Sequence, residues 1–153
     1  MTFVPLDTDL IAEHLRESVP EFQQVGQAAD YAAVKSLRDL RPPSAYVVLA
    51  QEKGDSDPSA DRQARSGGRQ RIECTFGVIL GLRNFRDNLG HAASEDARPL
   101  IGRVREALMG WTPGLGQFRE IRWRQAEVLD YDADMLLWME VFSTHRFIGG
   151  NAP

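Results

Sequence analysis

The chain has 153 residues, of which 42% are hydrophobic and 26% charged, with a net charge of −4 and a pI near 5.4. That length and balance suit a single globular domain, 1–153, able to bury a core without disulfides or a structural metal. One cysteine excludes an intramolecular disulfide and a cysteine-rich zinc site, and the acidic balance gives no global attraction to nucleic acid or an anionic membrane.

The opening Met1–Leu15 carries acidic residues and no basic start before an apolar run, so it does not read as a signal peptide. The longest apolar stretches, near Tyr46–Ala50 and Phe76–Leu82, fall far short of a membrane span. An aqueous compartment is expected, and a reducing cytoplasm suits a lone thiol.

Asp7 or Thr8 caps a first helix with Leu10, Ile11, His14 and Leu15 on one face, closed by Pro20. Glu21–Val25 reads as a short strand, followed by Gly26. Asp30 then caps a small helix containing Tyr31, Val34 and Leu37. Pro42-Pro43 ends it and forces an extended start to Ser44–Gln51, rich in β-forming Tyr46, Val47 and Val48. Lys53–Arg69 has no apolar periodicity and many turn formers, so it is expected to be a long flexible loop.

The clearest strand follows. Ile72, Cys74, Phe76, Val78, Leu80 and Leu82 share one parity, while Arg71, Glu73, Thr75, Gly77, Ile79, Gly81 and Arg83 share the other. Such period-two alternation marks a strand with one buried face. After a loop over Asn84–Ala93, Ser94 or Asp96 starts a helix with Pro99 early in it. Leu100, Ile101, Val104 and Leu108 form its stripe, and Gly110 stops it. Phe118–Leu129 reads as a strand with Ile121 and Trp123 inward, Asp130–Asp134 as a hairpin turn, and Met135–Phe147 as the last strand. The order α-β-α-β-β-α-β-β predicts an α+β domain: a mostly antiparallel sheet of four to five strands with helices packed on one face.

Few residues point to chemistry. Cys74 lies on the buried parity, where a thiol is inert. The histidines, His14, His91 and His145, show no metal-binding spacing. Asp55, Asp57, Ser59 and Asp61 imitate a calcium loop, but Ala60 and Ser66 replace the turn glycine and the closing glutamate. Asp130, Asp132 and Asp134 fail in the same way, with Met135 and Val141 at those positions. Gly67-Gly68 lacks the lysine and helix of a phosphate loop. Arg119, Arg122 and Arg124 make one segment basic, with Arg122 and Arg124 on one face. Glu120 shares that face, which favours a solvated or ion-paired surface over a nucleic-acid strip. No cofactor, metal or catalytic set is expected.

Two features point to assembly instead. The last strand is apolar on both parities, with Met135, Leu137, Met139 and Val141 on one and Leu136, Trp138, Phe142 and Ile148 on the other. Either the domain covers both faces or a neighbouring chain covers one. Gly77 and Gly81 flank Ile79 on the outer face, which marks a bend, a bulge, or a close approach by another backbone or ligand.

The stretches Ile11–Arg16, Val19-Pro20, Arg41–Leu49, Thr75–Asn84, Pro99–Trp111, Leu129–Asp132 and Leu137–Phe142 together resemble the phage tail terminator (tail completion) family of long-tailed phages and prophages. The resemblance lies in their order and spacing along nearly the whole chain. It implies a few-stranded fold with helices on one side and a ring, usually a hexamer, at the head-proximal end of the virion tail. Such a ring caps the tail tube, stops its polymerisation and offers a surface to the head–tail connector, after assembly in the host cytoplasm. The partners it implies are other copies of the chain, the tail-tube protein and the connector, with no specific nucleic-acid site and no membrane. On this reading Asp55, Asp57 and Asp61 with Arg62, Arg65 and Arg69 pair across subunits, beside contacts at Gly77, Ile79, Gly81, Arg122, Arg124 and Trp138. Another phage adaptor, a head–tail joining or tail-tube protein, is the alternative. A small hydrolase-type enzyme using His91 or His145 with a carboxylate is the third reading.

Overall fold

The computed structural model describes residues 3–54, 70–83 and 92–149, with the backbone alone for 92–96. Helix α1 spans Thr8–Ser18, strand β1 Gln24–Gln27, helix α2 Ala28–Ala32, and a 3-10 turn Leu37–Asp39. Strands β2, Ser44–Gly54, and β3, Gln70–Arg83, precede helix α3, Ala92–Leu108, and the hairpin of β4, Arg122–Tyr131, and β5, Met135–Ile148. The order of elements and the α+β class are those expected from the sequence.

The five strands form one sheet in the order β1-β2-β3-β5-β4. Only the β1–β2 pair is parallel; β2–β3, β3–β5 and β4–β5 are antiparallel. α3 carries the chain from β3 to the outer edge, so that β5 returns inside β4 and pairs with β3 from Gln70↔Ile148 to Arg83↔Met135. β5 is thereby the inner strand of its hairpin, and among the described residues β4 has a partner on one side only.

The core lies between the sheet and α1 with α3. Ile72, Cys74, Phe76, Val78, Leu80 and Leu82 of β3 all point into it, meeting Ile11 and Leu15 of α1 and Ile101, Val104 and Leu108 of α3. Asp7 caps α1 as expected, its Oδ1 accepting from the Asp9 amide at 3.0 Å.

Several local expectations change. β2 runs to Gly54, so Lys53 and Gly54 close a strand instead of opening the loop, and α3 begins at Ala92, ahead of Ser94 and Asp96. The first strand starts at Gln24 rather than Glu21 and continues through Gly26. Asp30 does not cap α2: it stands in the first turn, and its Oδ2 accepts from the amide of the N-cap Gln27 at 2.8 Å, so the helix begins three residues earlier.

The second face is partly covered from within. Tyr31, Val34, Leu37 and Leu40 pack over Tyr46, Ile79, Met135 and Leu137 in a smaller cluster. The outer apolar parity of β5 is therefore covered along only part of its length: Met135 and Leu137 are buried by the chain itself, whereas Met139 and Val141 are half-buried. The same packing corrects the expectation that Gly77, Ile79 and Gly81 face another subunit, since all three are buried. A Cβ at Gly81 would lie 2.7 Å from Ser44 Oγ and 3.2 Å from Leu40 Cδ2, so the close approach there is intramolecular. Gly81→Ala is expected to cost about 1–3 kcal/mol through overpacking, measurable as a lower urea midpoint at unchanged m-value.

Candidate functional site

The exposed apolar residues of the described sheet concentrate on the β4–β5 hairpin. The register places Trp123, Ala126, Val128 and Tyr131 of β4 opposite Phe142, Glu140, Trp138 and Leu136, on the face that carries α1 and α3. Trp123 is 39% exposed, Val128 48% and Tyr131 63%, and Leu136 and Trp138 beside them are half-buried. Of the two residues expected to point inward, Ile121 is buried, as is Phe118, whereas Trp123 stands on the core-side face opposite Phe142 but stays partly exposed. The physical reason is edge placement, because among the described strands β4 is the last in the sheet and has no strand beyond it. Register shifts interrupt β4 between Trp123 and Gln125 and between Val128 and Asp130. Such bulges twist an edge and discourage indiscriminate strand addition.

Under this surface lies a fully buried carboxylate. Glu140 receives Arg105 Nε at 3.0 Å on each oxygen and Arg105 Nη2 at 2.7 Å. Trp123 Nε1 donates to Oε2 at 2.6 Å and Trp138 Nε1 to Oε1 at 2.8 Å. The Arg105 guanidinium also stands 5.0 Å from the Trp123 ring centroid. Two indoles on the exposed face are therefore fixed through one buried acid, which with Arg105 of α3 holds an apolar surface in shape. Trp138, expected as a contact residue, spends its N–H inside the chain.

The opposite face of the hairpin's other end is basic. A groove of about 480 Å³ is lined by Arg71, Arg119, Arg122 and Arg124 with Glu73, Glu120, Ser143 and His145. Arg122 and Arg124 do share this face, as expected. Arg124 pairs with Glu73 at 2.9 Å and donates from Nε to Ser143 Oγ at 2.6 Å. Burial, and then Arg71 and Arg119, hold the His145 imidazole below its usual pKa, which favours the uncharged ring. The Ser143 hydroxyl is engaged by a guanidinium, and no hydrogen bond joins it to His145 among the described residues, so the pair lacks nucleophile–base geometry.

The remaining polar candidates have structural partners. His14 stacks on Trp111 with centroids 3.9 Å apart, and its Nε2 lies 2.8 Å from Ala107 O. Asp132 Oδ1 accepts from the amides of Asp134 and Met135, both at 2.8 Å, closing the hairpin turn. His91 and the loop residues Asp55, Asp57, Asp61, Arg62, Arg65 and Arg69 lie outside the described residues. No group of three or more metal-binding side chains occurs among the described residues. No helix among them is long and apolar enough to cross a membrane.

Cys74 is buried, and its Sγ donates to Glu52 Oε1 at 3.4 Å. Desolvation first, then the Glu52 charge, pushes the thiol from 9.0 up to about 12. The unfolded chain therefore loses this proton first as pH rises. The thiol's contribution is complete below pH 9.0 and is lost as pH climbs toward about 12. Urea unfolding across that window should show a steeper decline for the wild type than for Cys74→Ala, and folded protein should resist thiol reagents at neutral pH.

Compared with known proteins, residues 1–152 match a family model described as phage tail terminator protein. No curated protein matches the chain.

Proposed function

From the premise that the chain belongs to the phage tail terminator family, we propose that its copies close into a ring at the head-proximal end of the tail. The ring, a hexamer by family resemblance, caps the tail tube, stops its polymerisation and offers the head–tail connector a surface. On this reading the chain is a structural protein of the virion, not an enzyme. Its partners are itself, the tube protein and the connector.

The observation that carries the self-contact is the exposed β4–β5 surface. A ten-residue edge strand with Trp123, Val128 and Tyr131 exposed beside half-buried Leu136 and Trp138 is apolar area that assembly would bury. The occupant is a second copy, because every subunit of a ring presents the same pair of complementary surfaces to its two neighbours. The expected loop, whose first residues Lys53 and Gly54 belong to β2, enters the same proposal over 55–69 as a contact element; trimming it should abolish ring formation or tail capping, and normal assembly without it would remove the loop from the reading.

The test is absolute mass by light scattering over a dilution series, with negative-stain images of the same fractions. Closed rings of fixed size support a terminator. Open filaments favour a tube protein, which must polymerise without end.

A further inference from the structure

The basic groove and the hairpin turn are chemical complements at opposite ends of β4. The groove gathers Arg71, Arg119, Arg122 and Arg124, and among the described residues neither Arg119 nor Arg122 has a carboxylate partner. The turn is Asp130-Tyr131-Asp132-Ala133-Asp134, exposed throughout. It adds an aromatic ring, 63% exposed, to three carboxylates. β4 has ten residues, and at about 3.3 Å per residue its ends stand roughly 30 Å apart. A chain cannot fold its own rigid turn into its own groove.

Beside the groove stands a residue whose conformation is hard to explain by folding. Leu115 is fully exposed at 106% and adopts φ 55°, between Gly114 at 68° and Gly116 at 89°. The two glycines reach this left-handed region freely, whereas a leucine is disfavoured there. The turn holds an apolar side chain out into solvent next to Gly116 and Thr112, which line the groove.

We infer that the arginine groove receives the acidic hairpin turn Asp130–Asp134 of a second copy of this chain, with Leu115 meeting Tyr131. The contact is head-to-tail: one end of β4 in one subunit meets the other end of β4 in the next. Contacts of this kind use two different surfaces and generate rings when the rotation closes. Paired arginines and carboxylates fix the register and steer the encounter, and the attraction weakens with salt. Phosphate is the rival occupant of an arginine cluster. Glu73 and Glu120 in the same groove, and the net charge of −4, favour a carboxylate partner that brings its own apolar group.

This contact rests on the ring reading, and the experiment separates the two. Full-length wild type, Arg119→Glu/Arg122→Glu, Asp130→Arg/Asp134→Arg, and the chain carrying all four substitutions are compared by light scattering at low and high salt. The expected result is a ring for wild type, monomers for each charge reversal, and a restored ring for the fourfold variant, whose recovery also shows that the reversals fold. Leu115→Asn, which suits the left-handed turn, should raise the melting temperature or leave it unchanged and require at least about tenfold more protein to assemble. Rings that survive both reversals overturn this contact and leave the ring standing. A wild-type chain that forms no ring overturns the ring reading and this contact with it. Salt-dependent binding of duplex DNA that the Arg119→Glu/Arg122→Glu variant loses, with its ring intact, assigns the groove to phosphate instead.

Discussion

Replacing Arg105 with methionine is expected to lower the stability of the folded chain by about 2–3 kcal/mol, a loss of roughly 5–10 °C in Tm. Glu140 is 0% exposed, and Arg105 supplies its only cationic partner among the described residues. Removing one partner of a buried pair leaves a charge in a medium that solvates it poorly, at a cost of about 3–5 kcal/mol when both are buried. Here the arginine side chain is 37% exposed, and the two indole N–H groups stay in place, which reduces the cost.

A second substitution distinguishes a buried-charge effect from lost packing. In Arg105→Met/Glu140→Gln the charge is gone, while a carbonyl oxygen still accepts from an indole, so most of the loss should return. Urea midpoints for the wild type, both single variants and the double variant close the cycle. An Arg105→Met loss under about 0.5 kcal/mol would mean that the pair behaves as a surface ion pair. Tryptophan fluorescence adds a local readout, since the Trp123 indole loses the guanidinium beside its ring.

The sequence made β3 legible because its alternation is a local property: every second side chain is apolar, and all of that parity is buried. Cys74 followed from the same parity. Glu140 was only half legible. It interrupts the apolar parity of Leu136, Trp138 and Phe142, a signal that something must neutralise it, but Arg105 lies 35 residues away on a helix. Pairing at that separation depends on tertiary packing, not on a pattern. Gly81 signals a close approach, yet the neighbours are Ser44 and Leu40, the latter 41 residues earlier in the chain and placed by the segment that follows α2. An inward Trp123 is the expectation for a hydrophobic residue in a strand. The insertion of β5 between β3 and β4 made its strand an edge, and strand order is fixed by how α3 crosses, which no residue spacing encodes. The leucine at φ 55° had a partial signal in Gly114-Leu115-Gly116, where flanking glycines allow a tight turn.

Val128→Glu should leave the fold intact and prevent assembly. Val128 is 48% exposed on an edge strand, so its replacement should change subunit stability by no more than about 0.5 kcal/mol. In a contact that covers the β4 surface, the same carboxylate would be desolvated without a partner, costing at least about 2 kcal/mol, or roughly 30-fold in affinity. A closed ring carries the substitution at every contact, so the losses compound around it. Light scattering should then report monomer where the wild type gives a ring, with the circular dichroism spectrum and urea midpoint unchanged. A ring that persists in Val128→Glu would remove the helix-side surface of β4 from the interface, because a buried edge could not accept that charge unnoticed. The variant also separates two routes to a capped tail. If monomeric Val128→Glu fails to stop tube growth, the ring must form for termination to occur; if it still stops growth at higher concentration, the tube end itself aligns the subunits and supplies the stabilisation their mutual contacts have lost.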